Sequence, residues 1–417
     1  MKIGIFFTMR KANGGAYQYA VTFVEALTRN PAHTCVIFNS SPDLPAEFAH
    51  APHIEVVNFA GTHTGHDAAP DQRPERTALI VKSKIVLYHA LLRLRLFGVL
   101  TWLTQKSQRK TIDLITSKKI DLAIFTMSNK LAFLLDLPTI VPIHDINHKL
   151  HPQYPEFSAG KTWVQREYIT SQTVKKASTI LVDSEVSRED IIAQYHAQPD
   201  KLVVLPFLSP NYLHRTVSPE NTKHFFQQHS IPKKFLFYPA QLWPHKNHSN
   251  LVKAIGILQQ QGLAVTLILT GAKKEAFGVW DAVTRIAKDQ HIENQVKFLG
   301  YVEDDEVAML YRNATAMVMP ALVGPTYIPI YEAWSMRCPV ACSDIRGLRE
   351  QAGDAALLFN PENPADIADK IKQIWTDDHV RQDLIARGTK RLSLWTDADF
   401  RDRIHTLLQE FKSHAYV

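Results

Sequence analysis

The stretch KFLFYPAQLWPHKNHSNLVKAI, Lys234–Ile255, joins a short apolar run, a polar loop and a helical pattern. The run FLFYPA predicts a β-strand, and HSNLVKAI predicts a helix that Asn247 or Ser249 would cap. Lys246 stands just ahead of this helix. A fixed cation beside a helix N-terminus suits a diphosphate, although a solvated lysine explains this stretch alone equally well.

The same unit of strand, loop and helix repeats on both sides of this stretch. Downstream, apolar runs alternate with helical patterns as far as NPADIADKIKQIW, which opens with an Asn-Pro start signal. Upstream, a comparable alternation runs from KIGIFF to ASTILVDS, and the polar region 210–232 separates the two arrays. Short runs rich in Val and Ile suit parallel sheets covered on both faces. The sequence therefore predicts an α/β fold of two doubly wound, Rossmann-like domains facing across a cleft.

Bulk composition narrows the class of protein. The chain has 417 residues, 45% of them hydrophobic, and a formal net charge of +6, which fits two or three packed domains. Cys35, Cys338 and Cys342 show neither disulfide nor metal spacing, so we expect buried thiols in a reducing compartment. The start MKIGIFFTMR indicates a strand rather than a signal peptide, and no apolar run is long enough for a transmembrane helix. We expect a cytoplasmic protein, or one bound peripherally to the inner face of the cytoplasmic membrane.

Ligands of doubly wound sheets bind in the loops that follow the strands. In TMRKANGGAYQY, Gly14 and Gly15 precede the first long helix, where backbone N–H groups can approach a phosphate, although a simple turn explains the pair as well. His144 follows the strand TIVPI, with His148 and His151 nearby. Nearby prolines and the lack of an acid pattern argue against a metal site. His144 is then a polar group of the cleft or a structural histidine.

A fourth loop, VGPTYIPIYEAW, follows the strand TAMVM. Its backbone amides from Thr326 to Ile328 are placed to face a second anion. Glu332 stands where the next helical pattern begins. It is either an acceptor for a diol such as a ribose or a first-turn acid favoured by the helix dipole.

Together the four loops resemble those of the retaining GT-B glycosyltransferases of family 4, the group 1 glycosyltransferases. The resemblance covers essentially the whole chain and is strongest over Phe235–Trp375, where VKFLGYVEDDEVAMLYRNATAMVMPAL and IPIYEAWSMRCPVACSDIRGLREQAGDAALLFNP resemble the family's donor-site units. The resemblance implies that His144 lies near the donor sugar, Lys246 stabilises the leaving group and Glu332 holds the nucleotide ribose. The implied catalytic residues are His144 and Lys246, and the implied donor-binding residues are Gly14, Gly15, Gln241, Lys246, Thr326, Tyr327, Ile328 and Glu332.

Two positions depart from the family pattern. The family often has two glutamates eight positions apart, and Gly324 occupies the place of the first. The loop G-P-T-x-I-P then suggests a subfamily in which Thr326 and Tyr327 take over recognition of the sugar. An arginine commonly stands five positions before the lysine, and Gln241 replaces it here, which keeps hydrogen bonding and loses charge.

The resemblance implies a retaining hexosyltransferase that uses a nucleotide-diphosphate sugar, with GDP-mannose as our first choice. The acceptor would be a growing, lipid-linked surface polysaccharide or oligosaccharide. We expect no cofactor and no catalytic metal, because the acids at 303–306 lie at a helix start and read as an exposed cap. No obvious nucleophile is present, which favours front-face attack assisted by the phosphate. The alternatives are a non-catalytic nucleotide-sugar-binding subunit and a sugar-nucleotide epimerase, which needs cleft carboxylates that the loops after the strands do not show.

The chain divides, by this reading, into an acceptor domain at 1–210, a donor domain at 211–395, and a C-terminal helix at 396–417 that crosses back to the first domain. Residues 82–110 of the first domain mix leucine and aromatic residues with lysine and arginine. Such a segment lies on an anionic membrane or packs its leucines on the sheet. Nucleic acid is not an expected partner, since no recognition motif accompanies the charge.

Overall fold

The computed structural model describes residues 1–29, 32–49, 52–59, 86–160, 162–273 and 275–414. The strands of the first sheet are β1 Lys2–Phe7, β2 Thr34–Asn39, β3 Ile54–Asn58, β4 Leu122–Phe125, β5 Thr139–Pro142, β6 Thr179–Val182 and β7 Leu202–Val204. The strands of the second sheet are β8 Leu236–Pro239, β9 Leu267–Thr270, β10 Val296–Phe298, β11 Ala316–Met319, β12 Val340–Ser343 and β13 Leu357–Phe359.

Helices connect nearly all of these strands. The α-helices are Gly15–Thr28, Phe97–Ser107, Arg109–Ser117, Asn147–Leu150, Pro155–Ser158, Thr162–Lys176, Glu185–Tyr195, Pro219–Gln228, His248–Gln260, Val279–Asp289, Asp304–Asn313, Ile328–Ser335, Arg346–Ala352, Pro364–Thr376, Asp378–Ser393 and Asp397–His414, and residues 86–93 are also helical. The 3-10 helices are Lys11–Asn13, Ala46–Ala49, Lys130–Phe133, Pro199–Lys201, Asn211–His214, Pro244–Lys246 and Glu275–Phe277.

Both sheets are parallel and doubly wound. The strand orders are β3-β2-β1-β4-β5-β6-β7 and β10-β9-β8-β11-β12-β13. The order reverses between β1 and β4 in the first sheet and between β8 and β11 in the second. The predicted fold class is therefore confirmed, and the loops after these strands lie where such sheets bind ligands. We call the parts that carry β1–β7 and β8–β13 the N-terminal and C-terminal units.

Both faces of the central strands are covered by packed side chains. Every residue of β4, β5, β6, β9, β11 and β12 is buried. In the first sheet, the ring of Phe6 stacks between those of Phe38 and Phe125, with centroids 4.8 and 4.3 Å away. The three free cysteines are buried, as predicted, and act as small apolar side chains.

The last helix, Asp397–His414, packs on the N-terminal unit. Its apolar side chains Phe400 and Ile404 belong to the same buried cluster as Ile3 and Phe23. Ile328, from the C-terminal unit, joins this cluster as well. Two segments that are distant in sequence from the first sheet, the last helix and Ile328, therefore pack in the core of the N-terminal unit.

Two local expectations need correction. The helix expected to begin near Glu332 begins at Ile328, because Pro329 fits the first turn, where its missing N–H has no partner to lose. Glu332 therefore lies in the second turn. Asn247 precedes the helix His248–Gln260 without capping it by its side chain. Its amide instead donates to the carbonyls of Pro320 and Pro361, at 2.9 and 2.7 Å, and so fixes the loop that carries Lys246.

Candidate functional site

A cavity of about 450 Å³ lies between the two units, where the loops after β5 and β6 face those after β8 and β11. Both charged and aromatic side chains line it. The lining residues are His144, Asp145, Asn147, Glu156, Phe157, Arg166, Asp183, Phe207, Trp243, His245, Lys246, Gly324, Pro325, Thr326 and Tyr327. Of the predicted site residues, His144, Lys246, Thr326 and Tyr327 therefore come together.

Lys246 supplies the cation of this cavity. It ends the 3-10 helix Pro244–Lys246, and its carbonyl accepts a 3.0 Å hydrogen bond from the Tyr238 hydroxyl. Its Nζ lies 3.9 Å from the centroid of the Tyr327 ring. Burial lowers the pKa of Lys246 to about 7, and the charges of Asp145 and Glu156 oppose the shift only in part. An anion at this position would restore the charged form of the amine.

His144 supplies a neutral imidazole. Its ring packs edge-on against Tyr19, at 4.5 Å between centroids, and also contacts Phe207. Burial lowers the pKa of His144 to about 4, although the charge of Asp145 opposes the shift. Its Nε2 is buried without a hydrogen-bond partner in the described part of the chain. A neutral ring nitrogen of this kind is available to a ligand.

Three carboxylates line the cavity, and the expectation that these loops lack cleft carboxylates is wrong. Asp145 accepts hydrogen bonds from Arg166, at 2.5 Å, and from the backbone of Asn147. Burial raises the pKa of Asp145, but Arg166 and the backbone hydrogen bond from Asn147 together lower it by a larger amount. The net pKa lies below the ordinary value, so the carboxylate is ionised. Asp145 follows His144 directly, so its place after β5 was a signal in the sequence.

Asp183 is the second of these carboxylates, and it directly follows β6. It is buried, and it accepts hydrogen bonds from Ser187, at 2.7 Å, and from Thr326, at 2.5 Å. Burial raises the pKa of Asp183 to about 6 against the effect of these hydrogen bonds. Its position at the end of a predicted strand would have identified it.

Glu156 is the third carboxylate, and no local sequence signal marks it. It lies in the short helix Pro155–Ser158 of the N-terminal unit and binds His245 of the C-terminal unit. Only the packing of the two units brings it to the cavity.

The loop after β11 is held by its own side chains. The backbone N–H of Tyr327, expected to face the ligand, donates instead to Gln351, at 2.8 Å. The Tyr327 hydroxyl donates to the carbonyl of Val323. Gly324 has a φ of +136°, and a Cβ there would lie 2.6 Å from the Tyr327 hydroxyl oxygen. No carboxylate side chain fits at Gly324 in this conformation.

The remaining predicted donor residues lie outside the lining of this cavity. A Cβ on Gly15 would lie 3.3 Å from Ile328, so this glycine allows the two units to approach. The Gln241 amide donates to the carbonyl of Ala12, at 3.2 Å, and links the loop of Gly14 to that of Lys246. Their donor-binding roles stay predictions.

Glu332 also lies outside the lining, and its carboxylate is already bound. It is 6% exposed and accepts hydrogen bonds from the hydroxyls of Tyr212, at 3.0 Å, and Tyr311, at 2.8 Å. Burial raises the pKa of Glu332 to about 7. Sequence reasoning missed both tyrosines, which precede Glu332 by 120 and 21 positions. Its role as ribose holder stays a prediction.

Neither a cluster of metal ligands nor a membrane-spanning helix occurs among the described residues. No group of three or more His, Cys, Asp or Glu side chains is arranged to hold a metal ion. No helix in the same residues has the length and apolar character needed to cross a bilayer.

Comparison with known proteins gives this site a family context. Residues 220–391 match the sequence profile of the glycosyl transferases group 1 family. The chain is 29% identical over 253 residues to O-antigen chain mannosyltransferase B of Escherichia coli, covering 60% of this chain and 64% of that protein. It is 25% identical over 237 residues to the O-antigen chain mannosyltransferase RfbU of Salmonella typhimurium, covering 56% and 60%. The alignments thus span less than two thirds of either relative.

Solved structures agree with the fold. The structure of HepE from Anabaena in complex with UDP-glucose superposes with a TM-score of 0.69 at 18% identity, covering 98% of this chain and 100% of that chain. WaaG, a glycosyltransferase involved in lipopolysaccharide biosynthesis, superposes with a TM-score of 0.64 at 13% identity, covering 97% and 98%. The two-sheet architecture is the GT-B fold, and the match to the group 1 glycosyltransferase profile lies within the C-terminal unit.

Proposed function

We propose, from the group 1 glycosyltransferase domain and the cavity that it shares with the N-terminal unit, that this protein is a retaining hexosyltransferase. It moves a hexose, with mannose as the first choice, from a nucleotide-diphosphate sugar to a growing, lipid-linked surface glycan. The names of the two O-antigen mannosyltransferase relatives support the choice of sugar and acceptor. GDP-mannose is the corresponding donor, and no catalytic metal or cofactor is invoked.

One observation carries the proposal: the Lys246 amine is buried in the cavity between the units, where an anion beside it favours its charged form. In glycosyl transfer, the bond between C1 of the sugar and the β-phosphate oxygen breaks, and negative charge develops on the diphosphate. A preorganised cation in a site of low dielectric stabilises that charge. Lys246 lies just before the helix His248–Gln260, whose N-terminus adds a favourable dipole.

The remaining lining residues suit transfer with retention. The acceptor hydroxyl forms the new bond on the face from which the diphosphate leaves, and its proton passes to the departing phosphate oxygen. His144 is neutral and packed between aromatic rings, so it can bind a sugar hydroxyl without adding charge. Closure of the two units over the donor excludes water, which would otherwise hydrolyse it.

The proposal is tested by ligand-induced stabilisation followed by product analysis. Thermal unfolding is recorded with GDP, GDP-mannose, UDP, UDP-glucose and dTDP-glucose, since a ligand of the native state raises the melting temperature. The stabilising donor is then incubated with a lipid-linked acceptor, and NMR of the product gives the anomeric configuration. A product of inverted configuration contradicts the retaining mechanism, and absence of stabilisation by every nucleotide contradicts the function.

The cavity carboxylates keep an epimerase as the second candidate. Epimerisation needs a base that removes a proton from a sugar carbon, and Asp145, Glu156 and Asp183 all line the cavity. Hydrogen bonds lower the pKa of Asp145 and Glu156 and so make them weaker bases, whereas burial raises the pKa of Asp183 to about 6 and leaves it as the candidate base. Incubation of the donor in D₂O without acceptor separates the candidates, because only an epimerase incorporates deuterium into recovered nucleotide sugar. A non-catalytic subunit binds the donor and leaves it intact, with or without acceptor.

A basic, apolar surface at residues 86–110 supports a membrane-bound acceptor; residues 82–85 of the predicted segment lie outside the described residues. Large apolar side chains are exposed on it, namely Val86, Leu87, Leu94, Leu96, Val99 and Trp102. Exposed basic residues lie among them, namely Arg93, Arg95, Lys106, Arg109 and Lys110. Such a surface fits the boundary between anionic headgroups and acyl chains. We refer to it as the 86–110 surface.

A further inference from the structure

Glu156 reaches from the N-terminal unit across the cleft to the segment that carries Lys246. Its Oε1 accepts two hydrogen bonds from His245, one from the backbone N–H, at 2.8 Å, and one from ring Nδ1, at 2.6 Å. Although burial raises the pKa of Glu156, the hydrogen bonds from His245 lower it, so the carboxylate is ionised. Burial lowers the pKa of His245 to about 4, so its ring is neutral and Nδ1 is the donor.

The second oxygen of this carboxylate is not used by the protein that the structure describes. The Glu156 side chain is 3% exposed, and Oε2 is buried without a hydrogen-bond partner in the described residues. A buried anionic oxygen of this kind is costly unless it is hydrogen-bonded. The residue lines the cavity together with His144 and Lys246. The hydroxyl group of a ligand in the cavity would donate the hydrogen bond that Oε2 of Glu156 lacks.

Neither the loop after β11 nor the other two cavity carboxylates supply a buried acceptor of this kind in the described residues. Gly324 stands in the loop after β11, and the Tyr327 ring occupies the space that a side chain would need there. Oδ1 of Asp145 already accepts hydrogen bonds from Arg166 and from the backbone of Asn147. Asp183 accepts through both oxygens, from Ser187 and from Thr326. Among the three cavity carboxylates, a fully buried oxygen without a hydrogen-bond partner in the described residues occurs only on Glu156.

We infer, on the basis of the proposed function, that Glu156 forms a subsite for a hydroxyl group of the donor sugar. Oε1 keeps the carboxylate in place through His245, and Oε2 accepts the hydrogen bond from the hydroxyl. Glu156 belongs to the N-terminal unit, and Lys246, which binds the diphosphate, belongs to the C-terminal unit. Only the closed arrangement of the units therefore presents both side chains to one donor molecule. The nucleotide alone has no group for this subsite.

The test compares a nucleotide sugar with the corresponding nucleoside diphosphate by isothermal titration calorimetry on the full chain. The pair used is GDP-mannose with GDP, or UDP-glucose with UDP, whichever stabilises the unmodified protein. Glu156→Gln keeps the acceptor for His245 and replaces Oε2 by an amide donor. We expect its affinity for the nucleotide sugar to fall about 10- to 100-fold, as for a lost hydrogen bond to a charged group, while its affinity for the nucleoside diphosphate stays within about twofold.

A matched control separates the subsite from a general effect on the packing of the units. Glu350 also spans the cleft, since its carboxylate accepts hydrogen bonds from the backbone of Glu185 and Val186, but it does not line the cavity. Glu350→Gln is expected to change the two affinities equally. Deoxy-sugar analogues of the donor then identify the hydroxyl. The analogue that lacks this hydroxyl should bind the unmodified protein more weakly than the complete donor does. Glu156→Gln should bind this analogue and the complete donor with equal affinity, because the hydrogen bond is already lost.

The outcomes are distinct. Equal loss of affinity for both ligands in Glu156→Gln, or no loss for either, overturns the subsite. Failure of the unmodified protein to bind any nucleotide or nucleotide sugar overturns the proposed function instead, before any variant is compared.

Discussion

The hydroxyl of Thr326 in the C-terminal unit donates a 2.5 Å hydrogen bond to the buried carboxylate of Asp183 in the N-terminal unit. Both residues line the cavity, so the bond joins its two walls. We predict that Thr326→Val, which keeps the shape and removes the donor, loosens the closed arrangement. Affinity for the nucleotide sugar should fall about tenfold, and the radius of gyration of the unliganded protein should rise in small-angle X-ray scattering.

The control for this prediction uses the other hydrogen bond of the same carboxylate. Ser187 donates to Asp183 at 2.7 Å from within the N-terminal unit. Ser187→Ala should therefore lower the free energy of unfolding by about 1–3 kcal/mol, as Thr326→Val does, while leaving both the radius and the affinity unchanged. If the two variants behave alike in scattering and in binding, the bond does not control closure.

We expect the buried Lys246 to lower the free energy of unfolding and, at the same time, to be required for binding of a diphosphate. Burial disfavours the charged form of Lys246, so Lys246→Met should raise the free energy of unfolding at pH 6. The expected gain is about 1–3 kcal/mol, because water at the mouth of the cavity reduces the cost of burying the charge. The same change should abolish binding of nucleoside diphosphates. Lys273→Met is the matched control, because Lys273 also lies over an aromatic ring, that of Trp280, but outside the cavity. Equal effects of the two variants would contradict the assignment.

Much of this architecture could be predicted from the sequence, because its signals are local. Apolar runs of four to six residues marked the buried strands, and Asn363 before Pro364 marked the start of a helix that it does cap. The loops after the strands place His144, Lys246 and Thr326 at one cavity. These are consequences of strand order and of the carboxyl-end rule for parallel sheets.

What the sequence did not predict depends on packing between distant segments. Glu156 and His245 are 89 positions apart and meet only when the units face each other. Glu332 accepts hydrogen bonds from Tyr212 and Tyr311, which come from two other segments. Neither contact leaves a periodic or spacing signal in the chain.

Binding of a diphosphate near neutral pH should be accompanied by proton uptake. The pKa of Lys246 is lowered to about 7 by burial, and an anion beside it favours the protonated form. Between pH 7 and 9, a fraction of the free protein must therefore gain a proton when it binds the nucleotide. Titration calorimetry in HEPES and in Tris buffers, which differ in their enthalpy of ionisation, measures this uptake from the difference in apparent enthalpy. Lys273→Met should show the same uptake, and identical enthalpies in both buffers would rule out Lys246 as the phosphate contact.

We predict that the burial of Glu332 makes the protein less stable as the pH rises. Its pKa is raised by burial from 4.5 to about 7, so the folded protein binds more protons than the unfolded chain between these values. The stabilisation is fully present below pH 4.5 and is lost as the pH rises through 7. Glu332→Gln should flatten this slope and, relative to the unmodified protein, gain up to about 3 kcal/mol at pH 8. Denaturant unfolding at several pH values measures both effects.

Glu167 should give the opposite dependence of protein stability on pH. Although burial raises its pKa, hydrogen bonds from His148 and Tyr195 and the charge of Lys149 lower it to about 2. Its stabilisation is therefore present above pH 4.5 and is lost as the pH falls towards 2. Glu167→Gln should destabilise the protein at pH 8, where Glu332→Gln stabilises it. A stabilising effect of both variants would mean that burial of carboxylates, and not their individual partners, determines the result.

The 86–110 surface predicts binding to anionic membranes. Trp102 is 53% exposed with Lys106 over its ring, and Leu94 is 68% exposed between Arg93 and Arg95. The double change Arg93→Glu and Arg95→Glu should reduce co-sedimentation with vesicles of phosphatidylglycerol and phosphatidylcholine at least about tenfold, since each basic residue near such a surface contributes about 1 kcal/mol.

Charge and apolar contact can be separated in the same assay. Lys175→Glu with Lys176→Glu alters two exposed lysines of the same unit outside this surface and should leave vesicle binding unchanged. Trp102→Ala should weaken binding at both low and high salt, whereas the arginine changes should matter mainly at low salt, because salt screens charge but not apolar contact. If the lysine control lowers binding as much as the arginine changes do, the attraction follows net charge and the 86–110 surface is not the docking site.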